Sequence, residues 1–258
     1  MRTDNEAVDT ERRFGGLKRL YGDDALSRFA DVSVCVVGIG GVGSWTAEAL
    51  VRSGVTRLTL IDLDHVAESN FNRQIHALES TLGQAKIEAM ANRLKEINPV
   101  AGITLVDDFL TPENCDRLLA AAELVIDAID SVRAKVAIAA HCRKNEQPLV
   151  MAGGAGGKTD PARIRVADLS QTIQDPLLSK VRADLRRHHD FPRGDKKFGI
   201  PAIFSTEPVR YPVTGCAPSG PLQGLACAGY GSCMPVTASF GLFAASLALD
   251  LMLKRTAS

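Results

Sequence analysis

No Cys-x-x-Cys pair occurs in this chain, so a zinc knuckle has no ligand pairs from which to form. Six cysteines are present: Cys35, Cys115, Cys142, Cys216, Cys227 and Cys233. Cys35 and Cys142 lie in apolar or helical runs and read as small buried hydrophobes. Net charge is also missing. The 30 basic residues balance 30 acidic ones, which counts against a general nucleic-acid coat protein but not against a local basic patch. A bilayer-length apolar run is absent as well. Residues 236–249 are uncharged but only 14 long before Asp250 interrupts them, short of the roughly 20 that a membrane needs. They read as a buried helix in the core or at a subunit interface. Residues 1–13 are charged and lack the apolar centre of a secretory leader. A cytoplasmic protein without disulfides or a membrane span is therefore expected.

What is present is globular. A hydrophobic share of 45% over 258 residues is enough to bury a core without staples. The apolar, β-branched run 32–37 reads as a buried parallel strand. A glycine turn and a helix over 42–52 follow it. Strands are expected at 58–62, 103–106, 124–129 and 148–151. Helices are expected at 17–30, 85–97 and 132–144, the second stopping at Asn98-Pro99. This alternation predicts an α/β, Rossmann-like fold with a mostly parallel, doubly wound sheet. Beyond it come a glycine loop at 153–157, a short strand at 163–168, a charged helix at 175–189 and a mobile loop at 191–199. Antiparallel edge strands at 203–211 form a C-terminal antiparallel extension, and a Gly- and Pro-dense irregular stretch covers 215–231. The expected organisation is one domain over 1–258, with a nucleotide-binding core at about 32–152. A substrate-side crossover region and the C-terminal helix fill about 153–258.

The turn reads Gly38-Ile39-Gly40-Gly41-Val42-Gly43. Such a strand-to-helix turn brings backbone close to phosphate and aims helix N–H groups at it. Asp62, at the end of the second strand, suits ribose hydroxyls. These features alone fit a nicotinamide dinucleotide equally well. The next residues favour ATP. Its triphosphate carries about four negative charges and calls for Arg, Lys and a metal. Arg73, in the stretch Asn70-Phe71-Asn72-Arg73-Gln74, and Lys86 are the candidates, and a dehydrogenase would leave them without a purpose. Asp127 and Asp130 end the fourth strand at the rim where open α/β sheets bind ligands, and an acid there can hold magnesium.

The glycine turn, Asp62, the Asn-x-x-Arg-Gln stretch, Lys86 and Asp130 resemble the ubiquitin-activating-like adenylating enzymes. Longer strings are similar to the tRNA threonylcarbamoyladenosine dehydratases within that superfamily. They are Arg13 to Gly16, Asn72 to Ala77, Asp107 to Phe109, Val125 to Ser131, the glycines at 153–157, and Thr172 to Leu177. The resemblance implies ATP-dependent adenylation of a carboxylate, then ring closure of the threonylcarbamoyl group on tRNA. It implies that Gly38, Gly40, Gly41, Gly43, Asp62 and Gln74 help hold the nucleotide, with Asp62 on the ribose. Asn70, Arg73 and Lys86 would take the triphosphate, and Asp130 the magnesium. Arg13 would reach the phosphates of a neighbouring subunit, which implies a homodimer.

The alternative within the superfamily is adenylation of the C-terminus of a ubiquitin-like sulfur carrier. Relatives of that kind often carry a nucleophilic cysteine in the crossover region, and residues 168–201 here contain none. The sequence leaves open a bound monovalent cation. It also leaves open a cysteine-desulfurase or sulfur-acceptor partner working through Cys216, Cys227 or Cys233. Residues 180–197 hold seven Lys or Arg against three acids, and this segment is expected to contact the RNA backbone.

Overall fold

The structure is a computed structural model that describes residues 8–211 and 230–254. Where one lead-in helix was expected, three short ones form: α1 (Thr10–Phe14), α2 (Gly16–Tyr21) and α3 (Ala25–Asp31). The break after α2 falls at Gly22, whose φ of 100° ends the helix in a conformation that other residues avoid. The chain then runs through β1 (Ser33–Val37), α4 (Gly43–Arg52), β2 (Arg57–Ile61), α5 (Lys86–Ile97), β3 (Gly102–Val106), α6 (Cys115–Leu119), β4 (Leu124–Asp127), α7 (Val132–Lys144) and β5 (Leu149–Ala152). It continues with β6 (Ile164–Asp168), α8 (Pro176–His188), β7 (Pro201–Ser205) and α9 (Met234–Lys254).

Among the described residues, seven strands form one sheet in the order β3-β2-β1-β4-β5-β7-β6. Every pair is parallel except β6 with β7. Strand residues alternate between two cores. Val34 and Val36 face one cluster with Leu50, Met90 and Phe240, while Cys35 and Val37 face another with Ile138, Leu178 and Leu185. Helices therefore cover both sides, as the doubly wound reading requires. The winding reverses between β1 and β4, and a ligand crevice opens outside the carboxyl ends of strands at such a point.

Two expectations are revised. In place of edge strands over 203–211, β7 lies inside the sheet, parallel to β5 on one side and antiparallel to β6, the true edge, on the other. The apolar C-terminal helix is 21 residues, not 14, and by length and composition it could cross a membrane. It is instead a core helix. Val236, Phe240, Ala244 and Ala248 are fully buried, and Thr46 Oγ1 donates to the Gly241 carbonyl at 3.2 Å. Cys216, Cys227 and most of the stretch 215–231 lie outside the described residues.

Candidate active site

The glycine turn is built by contacts that exclude side chains. Gly38 has a φ of 88°, and a Cβ on it would stand 2.7 Å from Ile129 Cγ2. A Cβ on Gly43 would stand 1.8 Å from the Gly38 carbonyl oxygen, so the turn closes only without one. Asp62 completes the closure: its Oδ2 accepts from the Ile39 N–H at 2.6 Å and its Oδ1 from the Asp64 N–H at 2.8 Å. Burial pushes the Asp62 carboxyl above its ordinary value, opposed by the Lys86 charge and by these two N–H groups.

The segment after β2 folds back over this turn. Arg73 lies above Gly41, where a Cβ would meet its Cγ at 3.0 Å, and the Gln74 amide nitrogen is the atom nearest to Gly40 at 3.9 Å. Asn70 organises the segment. Its backbone carbonyl accepts from Arg73 and Gln74, and its side-chain oxygen accepts from the Ala67 N–H. Trp45 Nε1 donates to the Arg73 carbonyl at 2.9 Å. Lys86 opens α5 almost fully buried, and its Nζ pairs with Asp64 Oδ2 at 2.7 Å. Asp130 stands exposed on the β4–α7 loop, next to the Ile129 that packs against Gly38. Asp127 does not share that setting. It is fully buried and paired with Lys135.

The structure thus gathers Gly38, Gly40, Gly41, Gly43, Asp62, Arg73, Gln74 and Lys86 at the glycine turn, with Asn70 bracing the overlying segment, and sets Asp130 on the neighbouring β4–α7 loop. Arg13 is not brought there. Its guanidinium donates to the Ile97 carbonyl at 2.6 Å, at the far end of α5 from Lys86. It lines a separate cavity of about 770 Å³ with Arg52, Arg93 and His76.

Sequence reasoning missed Asp64, two residues beyond Asp62, although an acid at that spacing in a strand-end loop was a visible signal. It also gave no separate role to His76. The ring is buried, and neither nitrogen has a hydrogen-bond partner among the described residues. Burial, with Lys86 and Arg93 adding like charge, pushes the imidazole down to about 4. A free histidine titrates near 6.5. The unfolded chain therefore binds more protons between about pH 6.5 and 4, so stability falls as pH drops through that window and levels off below it. The contribution is up to about 3 kcal/mol. Thermal unfolding of His76→Gln should show a shallower acid limb than the parent, and identical limbs would refute the assignment.

The basic segment is anchored by one of its own cations and by two side chains of neighbouring elements. Arg186 donates to the carbonyls of Pro192 and Gly194 and lies 5.2 Å from the Phe198 ring centre. Arg143 holds the His189 and Asp190 carbonyls and stacks on Phe191. Asp168 accepts from the N–H groups of Phe198 and Gly199. The loop expected to be mobile is therefore anchored along its length. Lys180, Arg187, Arg193, Lys196 and Lys197 remain exposed.

Residues 14–258 match the ThiF family. The chain belongs to that family. It is 50% identical over 255 residues to the tRNA threonylcarbamoyladenosine dehydratase of Escherichia coli, covering 95% of both chains. Its identity to the Haemophilus influenzae protein of the same name is 48% over 250 residues, again 95% of both. The E. coli enzyme solved in complex with ATP superimposes with a TM-score of 0.86 at 49% identity, over 95% of this chain and 96% of that one. The Rossmann-like fold with its antiparallel end pair is the fold of that enzyme.

Proposed function

We propose that this chain is an ATP-dependent dehydratase that cyclises threonylcarbamoyladenosine in tRNA by adenylating its carboxylate. One observation carries the reading. The phosphate- and ribose-binding candidates other than Arg13 lie on and around the glycine turn, in a chain half identical to enzymes named for that reaction.

The chemistry follows from the site. A carboxylate oxygen of the threonyl group attacks the α-phosphorus of ATP, the α–β phosphoanhydride bond breaks, and pyrophosphate leaves. A nitrogen of the same carbamoyl unit then attacks the activated carbonyl carbon. It loses its proton as AMP departs with the anhydride oxygen, and the net change in the nucleoside is one water. Both reacting groups belong to one molecule, so held proximity supplies much of the acceleration, about 7–11 kcal/mol at best. Arg73 and Lys86 neutralise the phosphates, and Asp62 fixes the ribose. No bond to the enzyme is required.

Asp130 fits magnesium. It offers a hard, exposed carboxylate. No group of three or more His, Cys, Asp or Glu among the described residues could cage a metal alone. That suits an ion that takes one or two carboxylates and draws its other ligands from phosphates and water. When bound, magnesium would offset the phosphate charge. Arg13 belongs to this reading as a residue donated across a homodimer, and a tRNA substrate places the work in the cytoplasm.

For the RNA, we assign contacts to Lys180, Arg187, Arg193, Lys196 and Lys197. Arg186 is excluded because it is committed to the loop. Replacing these five with serine should raise KM for tRNA at least tenfold while leaving KM for ATP unchanged. The log–log salt dependence should become shallower by about 0.7–0.9 for each phosphate no longer neutralised. An unaltered slope would remove this surface from the RNA site.

The function itself is tested by incubating the protein with ATP, magnesium and tRNA bearing threonylcarbamoyladenosine, then weighing the nucleosides. Loss of one water with stoichiometric AMP is the expected result. No mass change, with pyrophosphate exchange supported instead by a carrier protein's C-terminus, would transfer the chemistry to the sulfur-carrier alternative.

A further inference from the structure

Beneath the crevice lies a buried ion pair that the reaction scheme does not use. Lys135 and Asp127 are both fully buried, with Nζ 2.9 Å from Asp127 Oδ1. The same ammonium donates to the Ala152 carbonyl at 2.7 Å. Asp127 is the last residue of β4 and Ala152 the last of β5, so one side chain ties together two neighbouring strand ends. The loop leaving β4 presents Asp130. The loop leaving β5 begins Gly153-Gly154.

The second loop is pinned in turn. Gly154 N–H donates to Asp175 Oδ2 at 2.8 Å, while Asp175 Oδ1 caps α8 by accepting from Leu178 N–H at 2.9 Å. The approach is tight: a Cβ on Gly153 would stand 2.1 Å from Asp175 Oδ2 and 3.0 Å from the Ile203 carbonyl oxygen. Asp175 is itself buried. A continuous chain of polar contacts therefore runs from the Asp130 loop, through Asp127, Lys135 and Ala152, to the glycine loop and the start of α8. That helix carries exposed cations toward its far end, about 20 Å away for 13 residues at 1.5 Å each.

A buried ion pair is poor evidence for stability, because desolvation offsets the attraction. Its geometry is the more informative feature. We propose that Lys135 is a positioning residue that sets the spacing between the Asp130 loop and the glycine loop, and so aligns the adenylating and substrate-side halves of the site. This rests on the dehydratase reading above. The ATP-binding candidates on the turn and on α5 share no hydrogen bond or ion pair with Lys135, whose ammonium bonds Asp127 and Ala152. ATP affinity and turnover should therefore separate.

The test uses neutral pairs, which leave no unmatched buried charge. In Asp127→Asn/Lys135→Met the tether to Ala152 is gone. ATP affinity, measured by calorimetry without magnesium so that Asp130 is not engaged, should stay within about threefold of the parent. Turnover of modified tRNA should fall about tenfold to a hundredfold, as small misplacements of reacting groups do. Asp127→Leu/Lys135→Met, which leaves no polar group to bridge the strands, repeats the test if the first variant folds poorly. Turnover preserved in the double variants would overturn the proposal, and so would parallel losses of affinity and turnover. An inactive parent protein would instead count against the dehydratase reading, which keeps the two failures distinct.

Discussion

Lys86→Met is expected to lower kcat/KM for ATP by about 10²–10³-fold, equivalent to about 3–4 kcal/mol of lost transition-state stabilisation. The same change should move the thermal midpoint by no more than about 4 °C. The contrast follows from where the two ends of the side chain lie. The methylene stem is buried at the start of α5, and methionine fills that volume. The ammonium pairs with Asp64, whose side chain is 55% exposed. A pair open to water on one side is worth about 1 kcal/mol or less, so its loss costs little stability. For the same reason, ATP phosphates can displace Asp64 cheaply when they arrive. Pyrophosphate exchange together with a thermal scan reads both quantities. Comparable losses in the two would make Lys86 a structural residue and leave the triphosphate without its principal cation.

How much of this site was legible depended on whether a residue's role was local. Gly38 and Gly43 were readable because a tight turn after an apolar strand constrains the backbone by itself, and the contacts of both bear that out. Asp62 and Lys86 could be picked out as candidates because a strand end and a helix start place them, and Arg73 because its charge stands in a distinctive stretch. The partners were not. Nothing local says that Lys86 meets Asp64, that His76 is buried without a partner, or that Lys135 reaches from α7 under two strands. Those facts appear only when separate elements pack. The sheet shows the same division. Strand positions came from apolar runs, but the place of β7 between β5 and β6 depends on the crossover through α8, which no short window records. The loop over 191–199 looked mobile from its Gly, Pro and charge content, yet Arg143, Arg186 and Asp168, which anchor it, lie in neighbouring elements.

Arg13→Ala should abolish most turnover, by about 10²-fold or more, and the loss should be repaired by a subunit that is itself inactive. The length of α5 is the reason. Arg13 is bonded to Ile97 at one end of that helix and Lys86 stands at the other, about 16 Å apart along the axis at 1.5 Å per residue. A phosphate held by Lys86 is out of reach of the same chain's Arg13 in this arrangement. The exposed guanidinium beside an open cavity rimmed by Arg52 and Arg93 is instead available to a second copy. If Arg13 acts across a two-fold axis, each site draws Lys86 from one chain and Arg13 from the other. Co-expressing Arg13→Ala with Lys86→Met then yields mixed dimers in which one of the two sites has both residues intact. Random pairing makes about half the dimers mixed, so roughly a quarter of parental activity should return. A residue acting within its own chain cannot produce that recovery. A mixture no more active than its parents, with mixed dimers verified by mass, would place Arg13 outside the reaction or return it to its own subunit.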